Sequence, residues 1–122
     1  MNILESLRRW LQERDILPET DVCGITPGET GLFPLGQEQL WLREDVLGNR
    51  VQRVRYRFLL RRSDIPGDRA ANWLLQLQSA AAAQPPEGFL QFRAENGRFV
   101  KKTGTGLGIY ELRLTAEREE TL

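Results

Sequence analysis

No histidine occurs among the 122 residues, and there is one cysteine, Cys23. The first absence excludes catalytic triads built on His and His-ligated metals. The second excludes an internal disulfide and any centre that needs several thiolates. Lysine is nearly missing as well, since Lys101 and Lys102 leave the rest of the 17 basic residues to arginine. Arginine suits forked pairing with carboxylates and protein interfaces, although a GC-rich genome produces the same bias. No apolar run approaches the roughly 20 residues that cross a bilayer. Residues 1–11 set Glu5, Arg8 and Arg9 among their apolar positions, unlike a secretory leader. These features predict a cytoplasmic protein, or one assembled there into something larger. The 17 basic residues are balanced by 17 acidic ones, so no global field draws the chain to nucleic acid or anionic lipid. With 40% hydrophobic and 28% charged residues, residues 1–122 read as one folded domain long enough to bury a core.

What is present is organised around residues 49–62. Alternate positions place Gln52, Val54, Tyr56, Phe58 and Leu60 on one side and Arg53, Arg55, Arg57, Leu59 and Arg61 on the other. A period of two predicts a strand with an apolar face and an arginine face. At about 3.3 Å per residue such a strand is roughly 45 Å long, so it bends or projects beyond the sheet as half of a hairpin.

Ahead of it, Ile3, Leu4, Leu7, Trp10 and Leu11 recur at helical spacing, which predicts an amphipathic helix over residues 2–14. Residues 20–35 carry Pro27, Gly28, Gly31 and Pro34 and read as a loop with a short strand at residues 22–25. Residues 39–44 read as a strand, joined to the long one by a turn over residues 45–49 containing Gly48. Ser63-Asp64-Ile65-Pro66 signals a helix start, with a side-chain cap before a proline. The helix over residues 67–83 follows, with Ala70, Trp73, Leu74, Leu77 and Ala81 in one stripe. Trp10 and Trp73 are the expected anchors of the two helices on the sheet. Asn96-Gly97 between residues 89–94 and 98–102 predicts a β-hairpin. A last strand spans residues 109–116, and residues 117–122 read as a frayed polar tail. The order predicts an α+β domain, a mainly antiparallel sheet with two amphipathic helices packed on one face.

The candidate chemistry is thin. The glycine-rich segment at residues 103–108 lacks the Lys-Ser/Thr ending of a phosphate loop, so it reads as a connection between strands. Asp64 and Asp68 complement a helix dipole without forming an acid–base pair. No activated nucleophile stands out, and no catalytic, cofactor-binding or metal-binding residue is assigned. The arginine row reads first as a solvated sheet face, then as a protein interface, and third as a nucleic-acid site. In the interface reading, Arg53, Arg55 and Arg57 of one copy meet Glu117, Glu119 and Glu120 of the next.

In element order the chain resembles the small phage and prophage tail-completion proteins, the tail terminator or minor capsid group. The matching features are the helix through Trp10-Leu11, the segment ending near Pro34, and Arg55-Tyr56-Arg57-Phe58 followed by Arg62. The helix bearing Asn72-Trp73-Leu74, then Gly104 and Tyr110-x-Leu112-x-Leu114, complete the likeness. The resemblance implies a ring of copies that caps the tail tube and joins it to the head. Its partners are other copies, tail-tube and head-connector proteins, without catalysis, small-molecule substrate, membrane or nucleic acid. The implied location is the host cytoplasm during assembly, then the virion tail. A bacterial adaptor or nucleic-acid-binding module is the alternative.

Overall fold

The computed structural model describes residues 2–16 and 29–122. The expected strand at residues 22–25, with Cys23, lies outside them. Helix α1 (Ile3–Gln12) is followed by strands β1 (Thr30–Glu44) and β2 (Arg50–Asp64), helix α2 (Asp68–Ala83), and strands β3 (Gln91–Lys102) and β4 (Gly108–Thr121). The strands form one antiparallel sheet in the order β1-β2-β4-β3. This is an α+β fold.

Alternation along β2 and β4 builds the core as expected. Phe58 and Leu60 pair across to Leu114 and Leu112, and Leu32 of β1 joins beside Leu60. Onto this face pack Leu7, Trp10 and Leu11 of α1 and Ala70, Leu74, Leu77 and Ala81 of α2. Asn2 caps α1, its side-chain oxygen accepting the Glu5 N–H at 2.9 Å. Trp10 is buried edge-on against Phe92, and its indole N–H donates to the Gln84 carbonyl at 2.6 Å. That bond ties the end of α2 to α1. Trp73 sits at the core margin, half-buried beneath the Arg62 guanidinium.

Four expectations are corrected. β1 begins at Thr30, so residues 30–35 are strand. Pro34 is accommodated because β1 lies at a sheet edge and its register shifts between Pro34 and Gly36. Asn96-Gly97 does not turn the chain. Asn96 adopts φ 59° and the register shifts between Glu95 and Arg98, a bulge inside one continuous strand. The reason is helix packing: a Cβ at Gly97 would lie 2.6 Å from Gln78 Oε1 and 3.4 Å from both Leu112 and Leu74. The β3–β4 turn falls in the glycine-rich segment, the expected connection between strands. There the Thr103 N–H donates to the Leu107 carbonyl at 2.7 Å, with Gly106 at φ 87°.

The third correction is the start of α2, where Gly67 is the cap residue and no side chain caps it. Ser63 and Asp64 stay in β2, paired with Ile109 and Gly108. The last is the end of the chain: residues 117–121 are strand, and the Leu122 N–H still donates to the Arg50 carbonyl at 2.9 Å. The pairings Arg55↔Glu117 and Arg53↔Glu119 hold opposite charges together where no apolar residue marks a strand.

β2 is 15 residues long, and only part of it lies over the helices. Pairing of β3 to β4 stops at Gln91↔Glu117, whereas β1, β2 and β4 continue to Glu44, Arg50 and Thr121. The result is a three-stranded wing ending in the β1–β2 turn. Among the described residues, no helix is long and apolar enough to cross a membrane.

Candidate functional site: the charged face and the wing

Opposite the core, the strand period places the side chains of Arg53, Arg55, Arg57 and Arg61 on a face that no described helix covers. Antiparallel register sets Glu117 and Glu111 of β4 against Arg55 and Arg61, and Glu38 of β1 against Arg55 from the other side. Arg53 Nε donates to Glu117 Oε1 at 3.1 Å, and Arg55 Nη2 donates to Glu117 Oε2 at 3.2 Å. Arg57 Nη2 lies 3.0 Å from Glu38 Oε2, with Arg55 Nη1 3.8 Å from the same oxygen. Arg61 pairs with Glu111, which also has Arg98 at 3.6 Å. The side chain of Glu117 is 5% exposed, so its charge is held by the two guanidinium groups rather than by water.

The other face of the wing is polar too. The Tyr56 hydroxyl donates to Glu120 Oε2 at 2.6 Å, and Arg118 Nη2 reaches that oxygen at 2.8 Å. Gln52 Nε2 donates to Glu120 Oε1 at 3.2 Å, and Gln39 donates to Gln52 at 2.7 Å. Burial opposes ionisation of Glu120, but the bonds from Tyr56 and Arg118 outweigh it and hold the carboxyl below its ordinary value. Burial, with the bond to Glu120, pushes the Tyr56 phenol up.

At the wing tip, Asp45 Oδ1 accepts the N–H groups of Leu47 and Asn49, both at 2.9 Å. The Asn49 bond leads the effects that lower the Asp45 carboxyl. Gly48 takes φ 86°, closing the turn and leaving Val46 and Leu47 pointing into solvent.

The six sequence-assigned interface residues therefore divide. Arg53, Arg55, Arg57, Glu117 and Glu119 share the open face, and Glu120 lies on the opposite one. Glu117 is engaged within its own chain, and Glu119 is exposed across from Arg53. Compared with models of known protein families and with curated proteins, the chain matches none. Sequence reasoning missed Glu38 and Glu111 as partners of the arginine row, and missed the Val46-Leu47 tip. Antiparallel registration of residues 109–121 against residues 50–64 contained the signal for Glu111. Among the described residues, no group of three His, Cys, Asp or Glu side chains is placed to hold a metal.

Proposed function

We propose that this chain is a phage or prophage virion assembly protein, a tail terminator or head–tail joining component that works through protein–protein contacts in a ring. The observation that carries the reading is the sheet itself. Its outer strands β1 and β3 have no partner on their far sides among the described residues, and a three-stranded wing of β1, β2 and β4 runs on past the start of β3. Open edges of this length are templates for pairing with another chain. The edges also differ in charge: β3 carries Arg93, Arg98, Lys101 and Lys102 against Glu95, while β1 carries Glu38 and Glu44 against Arg43. Unlike edges favour head-to-tail contact, which closes into a ring when the rotation between copies permits. The helix–hairpin–helix–hairpin order supports the tail-terminator resemblance drawn from the sequence.

The arginine row acts in this reading as a charge-balanced surface rather than a phosphate grip. Exposed ion pairs between copies are individually weak, so the free protein can be monomeric and the ring form on the end of the tube. Deleting the gene from its phage or prophage and imaging the particles tests the proposal. Overlong tails, or unjoined heads and tails, are expected; normal joined virions would refute it.

A further inference from the structure

Asn96-Gly97 makes no turn, and the bulge it forms instead has a chemistry of its own. Pairing of β3 with β4 passes from Glu95↔Arg113 to Arg98↔Glu111, so both residues stand outside the paired register, opposite Leu112. Asn96 takes φ 59°, which asparagine tolerates better than most residues, and it is exposed on an outer strand. No hydrogen bond ties its side chain to another described residue. Gly97 has no Cβ, so nothing on the next residue screens its nitrogen from the Asn96 amide. Asparagine is a thermally labile side chain, and its amide is lost to attack by the backbone nitrogen that follows. We infer that Asn96 is a site of spontaneous modification, converted in the folded protein to aspartate and isoaspartate through a cyclic imide with Gly97.

The step balances with water alone. The Gly97 nitrogen gives up its proton and bonds to the side-chain carbonyl carbon of Asn96, and the side-chain nitrogen leaves with a proton as ammonia. Water then opens the imide ring at either carbonyl. Opening at one carbonyl gives aspartate; opening at the other gives isoaspartate, with the main chain running through the former side chain. The other asparagines are held away from this reaction. The Asn2 side chain is engaged as the cap of α1, and the β-branched Ile3 follows it. Asn49 has its N–H bonded to Asp45 Oδ1 and its carbonyl bonded to the Asp45 N–H, and Arg50 follows. Asn72 lies inside α2, where helical hydrogen bonding fixes the Trp73 nitrogen. Isoaspartate lengthens the main chain by one carbon beside Gly97, which lies so close to α2 that an added Cβ would meet Gln78 and Leu74. That product loosens β3 beneath α2, whereas aspartate keeps the length of the chain.

The test ages the full-length protein in heavy-oxygen water at mildly alkaline pH, with circular dichroism confirming that it stays folded, and maps it by mass spectrometry. Amide loss at Asn96 should run at least about tenfold faster than at Asn2, Asn49 or Asn72. Heavy oxygen should enter at that position, with isoaspartate among the products. A rate at Asn96 no faster than at the other three, or loss there only after unfolding in urea, would overturn the inference. Gly97→Ala screens the attacking nitrogen and should slow the loss at Asn96 severalfold. Loss at the wild-type rate in that variant would show that the Gly97 nitrogen is not the nucleophile. The isoaspartyl fraction, separated by ion exchange through its added negative charge, should unfold at lower urea than Asn96→Asp. Equal midpoints would show that the longer main chain does not disturb the contact with α2.

Discussion

Glu117 lies between Arg53 and Arg55, and its worth depends on how dry that position is. Breaking a buried pair costs about 3–5 kcal/mol, and exposed pairs contribute 0–1 kcal/mol. The arginines are about a quarter exposed and Glu117 nearly buried, which places Glu117→Ala between the limits, at about 1–3 kcal/mol. Glu119→Ala, at an exposed position one pair further along β4, should change stability by no more than about 0.5 kcal/mol. Urea unfolding of the two variants makes the comparison, and equal losses would show that the ladder does not stabilise the sheet. Gly97 gives a steric counterpart. Gln78 can swing its amide away from a new Cβ, but Leu112 and Leu74 cannot retreat far. Gly97→Ala should cost under about 1 kcal/mol and Gly97→Val about 1–3 kcal/mol, read by the same unfolding curves. A fully tolerated Val would mean that α2 does not press on β3 at the bulge. Trp73 is half-buried, so Trp73→Ala should cost less than the 3–5 kcal/mol typical of a fully buried aromatic.

Among the elements, the wing is tied to ionisation, because the Gln39–Gln52–Glu120–Tyr56 chain links its three strands through the Glu120 carboxylate. The Glu120 carboxyl is lowered in the folded state, so its contribution is present above the unfolded value and is lost as pH falls through the folded one. Acid should loosen β4 beyond Glu117 before the core, and Glu120→Gln should flatten that loss. Amide exchange of residues 118–121 followed against pH provides the check; protection unchanged by acid in the wild type would contradict it. These elements also show where the sequence was legible. The helices and the arginine strand announced themselves because one face of each is apolar and its period survives in the residues. The end of β4 did not, since Glu117, Arg118, Glu119 and Glu120 are polar on both faces and are strand only because β2 stands opposite. The two hairpin turns share one backbone pattern, the Asp45→Asn49 and Thr103→Leu107 hydrogen bonds with a positive-φ Gly at the fourth position. The second lies in the segment expected to connect strands, whereas the local hairpin signal of Asn96-Gly97 was converted by tertiary packing into a bulge.

Among the described residues, one sheet face is filled by helices, the other carries its own ion pairs, and two sheet edges and a wing tip are uncovered. The tail-terminator reading makes those features the means of assembly. The arginine row, with its partners Glu38, Glu111 and Glu117 in the same chain, leaves little charge for phosphate. Arg53, Arg55 and Arg57 replaced together by Glu should leave nucleic-acid binding negligible, as in the wild type. Tight wild-type binding that weakens steeply with salt would reverse that conclusion. The most direct measurement is add-back of purified protein to a lysate of the gene-deleted phage, scored by plaque formation and electron microscopy. The account predicts a non-infectious lysate in which the added protein joins heads to tails and restores plaques. An infectious lysate without the protein, or no joining when the folded protein is added, would contradict it.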